Sequence, residues 1–173
     1  MSFSLIILAA GNSQRFRSNI GKLYQKIAGK SLIEININKA SQFKEIKKIV
    51  LVYNKKDFKR VSSFRIKNIK MIAGGKSRQQ STLNALKYLI SQKGISKVLI
   101  HDAARPNFSR KLLSAILKNT KNARAVIPKI NVQDAVKQII DSSKEEYIVS
   151  KKRDNFFLTQ TPQAFNLKEI YHL

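Results

Sequence analysis

The first apolar run, Phe3 to Ala9, is short and stops at Gly11. That pattern predicts a strand buried on both faces. Ser31-Leu-Ile-Glu34 is a capping box that opens a helix reaching to about Phe43. Ile46 to Tyr53 is rich in β-branched residues and predicts a second strand. A short polar helix follows around Lys55 to Val61, and Ile66 to Ala73 is a third strand ending at Gly74-Gly75. Ser77-Arg-Gln-Gln80 reads as another capping box, opening a helix with Leu83, Leu86 and Ile90 on one face. Lys97 to Ile100 predicts a strand. Ser109 caps a helix carrying Leu112, Leu113, Ile116 and Leu117, and Ala123 to Ile130 is a strand with Pro128 near its end.

Strands alternating with helices at this spacing indicate βαβ units. The expected fold is α/β, a Rossmann-like, mostly parallel sheet with helices on both faces. After Ile130 the pattern changes: Ala135 to Ile140 and Tyr147 to Lys151 flank the polar turn Asp141 to Glu146. This predicts a β-arm, residues 131–155, protruding from one domain that spans 1–173. Phe156 to Thr159 is expected to return toward the core, and Asn166 to Leu173 begins a helix. Ligands of open parallel sheets bind beyond the carboxyl ends of the strands. The unusual polar sequences fall there, after Ala9, after Ala73 and after Ile100.

The 173 residues carry 34 Lys and Arg against 10 Asp and Glu, a formal charge of +24. Lysine supplies most of the cations, and they are spread along the whole chain. No basic helix interleaved with aromatics is present, so nucleic acid is not expected as the main partner. The charge would still draw in small anionic substrates. There is no cysteine, which excludes disulfides, thiolate metal sites and a cysteine nucleophile and fits a reducing, cytoplasmic setting. No apolar run is long enough for a membrane helix, and the amino terminus lacks the basic start of a signal peptide.

Three segments carry candidate chemistry. In Leu8-Ala-Ala-Gly-Asn-Ser-Gln-Arg15, the small residues Ala9, Ala10 and Gly11 would let backbone N–H groups approach a phosphate or base. Arg15 and Lys22 set two cations beside that turn, where they could stabilise charge developing on a phosphoryl group. The same residues also fit an ordinary turn with solvated cations. Gly74-Gly75, followed by Arg78 and Ser81 on a helix start, makes an anion-friendly corner or simply a tight turn. In His101-Asp-Ala-Ala-Arg-Pro106, Asp102 could bind Mg²⁺ or a ribose hydroxyl. Arg105 could bind phosphate or pair with Asp102. His101 reads as a positioned histidine rather than a base, because no nucleophile or carboxylate pattern accompanies it. Phosphate-loop and dinucleotide fingerprints fail: the required glycines are replaced by Tyr24, Lys70, Ser13 and Phe16.

Ala-Ala-Gly-x-x-x-Arg, Lys22, Gly-Gly-x-x-Arg-x-x-Ser and above all His-Asp-Ala-Ala-Arg-Pro together resemble the 2-C-methyl-D-erythritol 4-phosphate cytidylyltransferase family. Thr161-Pro-Gln-Ala-Phe165 extends the resemblance. It implies CMP transfer from CTP to methylerythritol phosphate with release of pyrophosphate, Mg²⁺ dependence, and a homodimer formed through the β-arm. Arg15 and Lys22 match the catalytic cations. Ala9, Ala10, Gly11, Gly74, Arg78, Ser81, Asp102 and Ala103 match nucleotide-binding positions, and Asp102 the metal position. Arg105, Asp134 and Arg153 match acceptor-binding positions, with Arg153 reaching into the partner subunit. The alternative acceptor is another polyol phosphate such as ribitol 5-phosphate, and a truncated, non-catalytic remnant is the other alternative.

The chain departs from the family at Ser13, Gly21 and Leu23, and at Ala135, where a hydroxyl is lost. Losing that hydrogen bond should cost about 1 kcal/mol of substrate binding. The chain also stops inside an expected helix, where the family usually continues for another quarter of its length. An incomplete sequence is the expectation.

Overall fold

The computed structural model describes residues 1–11, 21–64, 69–141 and 146–173. In chain order the elements are β1 (Phe3–Ala9), β2 (Lys26–Ile27), β3 (Lys30–Ser31), α1 (Leu32–Ala40), β4 (Ile46–Tyr53), α2 (Phe58–Ser62) and β5 (Ile69–Ala73). Then come α3 (Arg78–Ile90), β6 (Lys97–Asp102), α4 (Arg110–Asn119), β7 (Ala125–Val126), β8 (Lys129–Asn131), β9 (Val136–Asp141) and β10 (Glu146–Lys151). β11 (Phe157–Thr159), β12 (Gln163–Asn166) and α5 (Leu167–Tyr171) close the chain. A six-stranded sheet runs in the order β5-β4-β1-β6-β12-β7. β5, β4, β1 and β6 are mutually parallel, and β12 lies antiparallel between β6 and β7.

β1 sits at the centre because its residues can be buried on both sides. Phe3, Leu5, Ile7 and Ala9 face α1 and α4, packing with Ile33, Ile37, Leu113 and Ile116. Ile6 faces the other way, with Val50, Val98 and Ile100, against Ala85, Leu86 and Leu89 of α3 and Leu167 of α5. The period of two splits one apolar run between two cores. The chain leaves β1 toward β4 and β5, then returns to β6 on the other side. β1 therefore marks the topological switch point at which such sheets open a crevice.

The expected strand Ala123 to Ile130 is two strands in different sheets. β7 joins the main sheet, whereas β8 pairs with β11. Pro128 separates them. It has no N–H to continue a ladder, and its carbonyl accepts from Gln160 N. β11 does not return to the core. Phe157 and Leu158 are exposed, and the return to the core runs through Thr161, Ala164 and Leu167.

The arm forms as expected, with β9 and β10 antiparallel in the register Ile139↔Ile148 and Ile140↔Tyr147. The turn residues 142–145 lie outside the described residues, as do residues 65–68 at the expected start of β5.

Candidate active site

Ser77 caps α3 through its hydroxyl, which accepts from Gln80 N. The reciprocal half of the expected box is not formed, and the Gln80 amide nitrogen donates to Asn84 Oδ1. The buried face of α3 is centred on Ala85, Leu86 and Leu89, and Leu83 and Ile90 lie at its margin. This register turns the buried Ser81 hydroxyl inward to accept from Gly75 N at 3.1 Å. Arg78, one turn earlier, points outward across the sheet end.

The three segments meet in pairs. A Cβ on Gly74 would stand 2.3 Å from the Ala10 Cβ, so only glycine lets these two turns pack together. Gly74 N also donates to Tyr53 O, and the Asn54 amide donates to Ala10 O. Ala103 N donates to Leu8 O at 3.0 Å, fixing the third segment to the first. The Arg78 guanidinium donates to Asp102 Oδ1 through Nε at 3.2 Å and Nη2 at 3.0 Å, fixing the second to the third. Arg105 Nε lies 3.3 Å from Asp102 Oδ2. Asp102 is thus flanked by two guanidiniums. Of the two alternatives for Arg105, phosphate binding or a pair with Asp102, the structure shows the pair, and Nη1 donates to Gln160 Oε1 at 2.7 Å.

His101 is fully buried, with a pKa lowered to about 4 by burial, against the opposing pull of the Asp102 charge. The Asn36 amide donates to Leu32 O and Ala103 O, so its oxygen accepts from His101 Nε2 at 2.9 Å. Nε2 therefore carries a proton, and the lowered pKa keeps the ring neutral near pH 7. Its Nδ1 accepts from the Thr161 hydroxyl at 2.9 Å, and that hydroxyl accepts from Asp102 N at 3.3 Å. Both ring nitrogens are thus engaged inside the protein, the arrangement expected of a positioned histidine. Asn36 and Thr161 were not singled out by chemistry in the sequence. For Asn36 a signal existed, a polar residue on the apolar stripe Ile33, Ile37, Ala40 of α1.

Lys22 opens a 3-10 turn, Lys22–Tyr24, and is exposed, while Leu23 beside it is buried in the core. Arg15 lies outside the described residues. Gly11 is exposed, with space around it. Asp134 and Arg153 sit on the arm, where Arg153 Nη1 donates to Gln133 O. Among the described residues no hydrogen bond joins either of them to Asp102 or Arg105.

Among the described residues there is no cluster of three potential metal ligands. Mg²⁺ in nucleotide sites needs only one or two carboxylates, with phosphate oxygens and water completing its shell. Asp102 fits that requirement, since Arg78 donates two hydrogen bonds to Oδ1 while Oδ2 carries only the ion pair with Arg105, which leaves lone pairs for a cation.

Backbone groups, the Asp102 carboxylate and the guanidiniums of Arg78 and Arg105 thus converge at one end of the sheet. The chain is similar to known proteins. The bifunctional IspD/IspF enzyme of Pelagibacter ubique is 46% identical over 173 residues, covering 100% of this chain and 45% of that protein. The 2-C-methyl-D-erythritol 4-phosphate cytidylyltransferase of Clostridioides difficile is 34% identical over 97% of this chain and 71% of its own length. The crystal structure of 4-diphosphocytidyl-2C-methyl-D-erythritol synthase from Anaerococcus prevotii superposes with a TM-score of 0.80 at 31% identity, covering 99% of this chain and 72% of that one. The chain thus spans less than half of the bifunctional relative and about seven-tenths of the single-function proteins. The family profile itself runs through all three segments, the arm and β12, matching residues 3–172, and the chain belongs to the 2-C-methyl-D-erythritol 4-phosphate cytidylyltransferase family.

Proposed function

We propose that the protein transfers CMP from CTP to 2-C-methyl-D-erythritol 4-phosphate and releases pyrophosphate. The observation that carries this reading is the closure of the Ala10, Gly74 and Asp102 segments onto one another at the switch point of the sheet. Ala9, Ala10, Gly11, Gly74 and Ser81 frame the cytosine and triphosphate with backbone groups. Asp102 and Ala103 hold the ribose. Mg²⁺, bound by the triphosphate and Asp102, would neutralise the leaving pyrophosphate.

A phosphate oxygen of the acceptor attacks the α-phosphorus of CTP. A new P–O bond forms as the bond to the bridging oxygen of pyrophosphate breaks. Charge builds on the α-phosphate oxygens, and Arg15 and Lys22 stabilise it there. No proton has to move if the attacking oxygen is already ionised, so a neutral, fully engaged His101 is no obstacle. Arg105 orients the acceptor phosphate. Arg153 and Asp134 complete the acceptor site in a partner subunit, reached by the arm of residues 131–155. A cytoplasmic location fits a CTP-dependent reaction and a chain with no cysteine.

Pyrophosphate release from CTP and methylerythritol phosphate with Mg²⁺ tests the reading, run beside ATP, GTP, UTP and ribitol 5-phosphate. Release that needs both CTP and methylerythritol phosphate is the expected result. Preference for another nucleotide or for ribitol phosphate overturns the substrate assignment. No release from a folded chain overturns the assignment of activity to residues 1–173.

A further inference from the structure

Three contacts bind α1 to the segment that follows β6, and neither of their donors, Asn36 and Lys39, is a residue assigned to a substrate. Asn36 donates one amide hydrogen to Ala103 O at 2.8 Å. One turn later, Lys39 Nζ donates to Pro106 O at 2.7 Å and to Phe108 O at 3.2 Å. Asn36 and Lys39 are three apart and share one helix face. They therefore grip the segment on both sides of Arg105. Phe108 fills the space between: its ring lies 5.3 Å from Lys39 Nζ and edge-on to His101 at 4.8 Å. From the opposite side, the Thr161 hydroxyl joins His101 Nδ1 to Asp102 N.

We infer that Asn36, Lys39, His101 and Thr161 are positioning residues, a lock that fixes where Asp102 and Arg105 stand when the substrates bind. The two ends of the lock serve different substrates. Lys39 holds the carbonyls just after Arg105, the acceptor side. Thr161 holds the amide of Asp102, the nucleotide side. A segment tied by carbonyls and amides cannot shift without breaking a buried hydrogen bond, which is how a loop residue acquires the precision that transfer demands. Lys39 acts here through donors to neutral carbonyls, so the lock needs its geometry and not merely its charge.

The inference rests on the transfer reaction proposed above, and its test separates the two. Lys39→Met keeps the aliphatic stem over Phe108 and removes only the donors. It is expected to raise the KM for methylerythritol phosphate about tenfold with the KM for CTP unchanged. Lys39→Arg, which can still donate to two carbonyls, should restore the wild-type value. Thr161→Val should show the reverse, a raised KM for CTP with little change for the acceptor. A general loss of stability would lower the active fraction and leave both KM values alone. Unchanged or equally shifted KM values in folded variants overturn the lock. Amide exchange provides the second readout. Lys39→Met should speed exchange of the Arg105 amide, which donates to Asp102 O in the native segment, and leave α3 unchanged. If the wild-type chain shows no transfer, the reaction falls and exchange alone decides the lock: acceleration at Arg105 supports it, and no acceleration overturns it.

Discussion

Because His101 is neutral in the native state with a pKa near 4 and about 6.5 when unfolded, acid acts on it through the unfolded chain. Between those values the unfolded state binds the extra proton, so stability rises with pH across the window and is fully present above about 6.5. Acidification from pH 7 to pH 4 should remove about 3 kcal/mol through this one residue. Urea titrations of the wild type and His101→Gln should show their stability difference changing by about that amount between pH 7 and pH 4, in the direction that favours the wild type at pH 7. Gly74 and Gly11 form a second pair of contrasts. Alanine at 74 would drive its Cβ into Ala10, whereas nothing lies within 4 Å of a Cβ at 11. Gly74→Ala is expected to destabilise the fold by about 1–3 kcal/mol and to weaken CTP binding. Gly11→Ala should change stability by no more than about 0.5 kcal/mol, measured by the same titration. Lys22→Ala should leave the melting temperature in place and cut turnover at least about a hundredfold. The meeting of the three segments was legible because all three follow strands of one parallel sheet at its carboxyl end. Asn36 and Lys39 were not, since their work depends on a loop that the topology brings back 67 residues later.

Helix and strand formation followed local chemistry where the element carried its own signal. Ser31 and Glu34 cap each other as their spacing requires, Ser31 Oγ accepting from Glu34 N while the Glu34 carboxylate accepts from Ser31 N at 2.8 Å. Ser77 caps α3 by only one of these two bonds. Ser31→Ala should therefore cost more than Ser77→Ala, with about 1–2 kcal/mol against about 0.5–1 kcal/mol in urea denaturation. Equal losses would mean that the bond from the Ser31 hydroxyl to the Glu34 carboxylate, at 2.7 Å, contributes nothing. β12 carried no such signal. Its four residues follow Pro162 and show no alternation, and they become a strand because β6 and β7 leave a gap between them that backbone pairing fills. The β2–β3 hairpin was equally hidden, as its two-residue turn puts Ala28 at φ 48 and Gly29 at φ 79. Alanine rarely adopts that conformation, so the sequence advertises only half of the turn.

The arm is the part of the molecule whose composition conflicts with its surroundings. Ile139 and Ile148 oppose each other across β9 and β10 and are 61% and 66% exposed, and Ile140 and Tyr147 are exposed as the next pair. A two-stranded ribbon is marginal alone in water, and apolar pairs on it gain stability only when covered. The proposed dimer supplies that cover and brings Arg153 and Asp134 to the acceptor site of a second copy. The charge of +24 on each chain opposes this association. Screening weakens that repulsion, so moderate salt should tighten the dimer rather than loosen it. Ile139→Asp should sediment as a monomer at concentrations where the wild type is a dimer. CTP binding should survive, because Ala10, Gly74, Ser81 and Asp102 all belong to one chain, whereas turnover should fall with the loss of the arm's acceptor contacts. A monomeric variant with full turnover would remove Arg153 and Asp134 from the acceptor site and leave Arg105 as the one acceptor cation held by the lock.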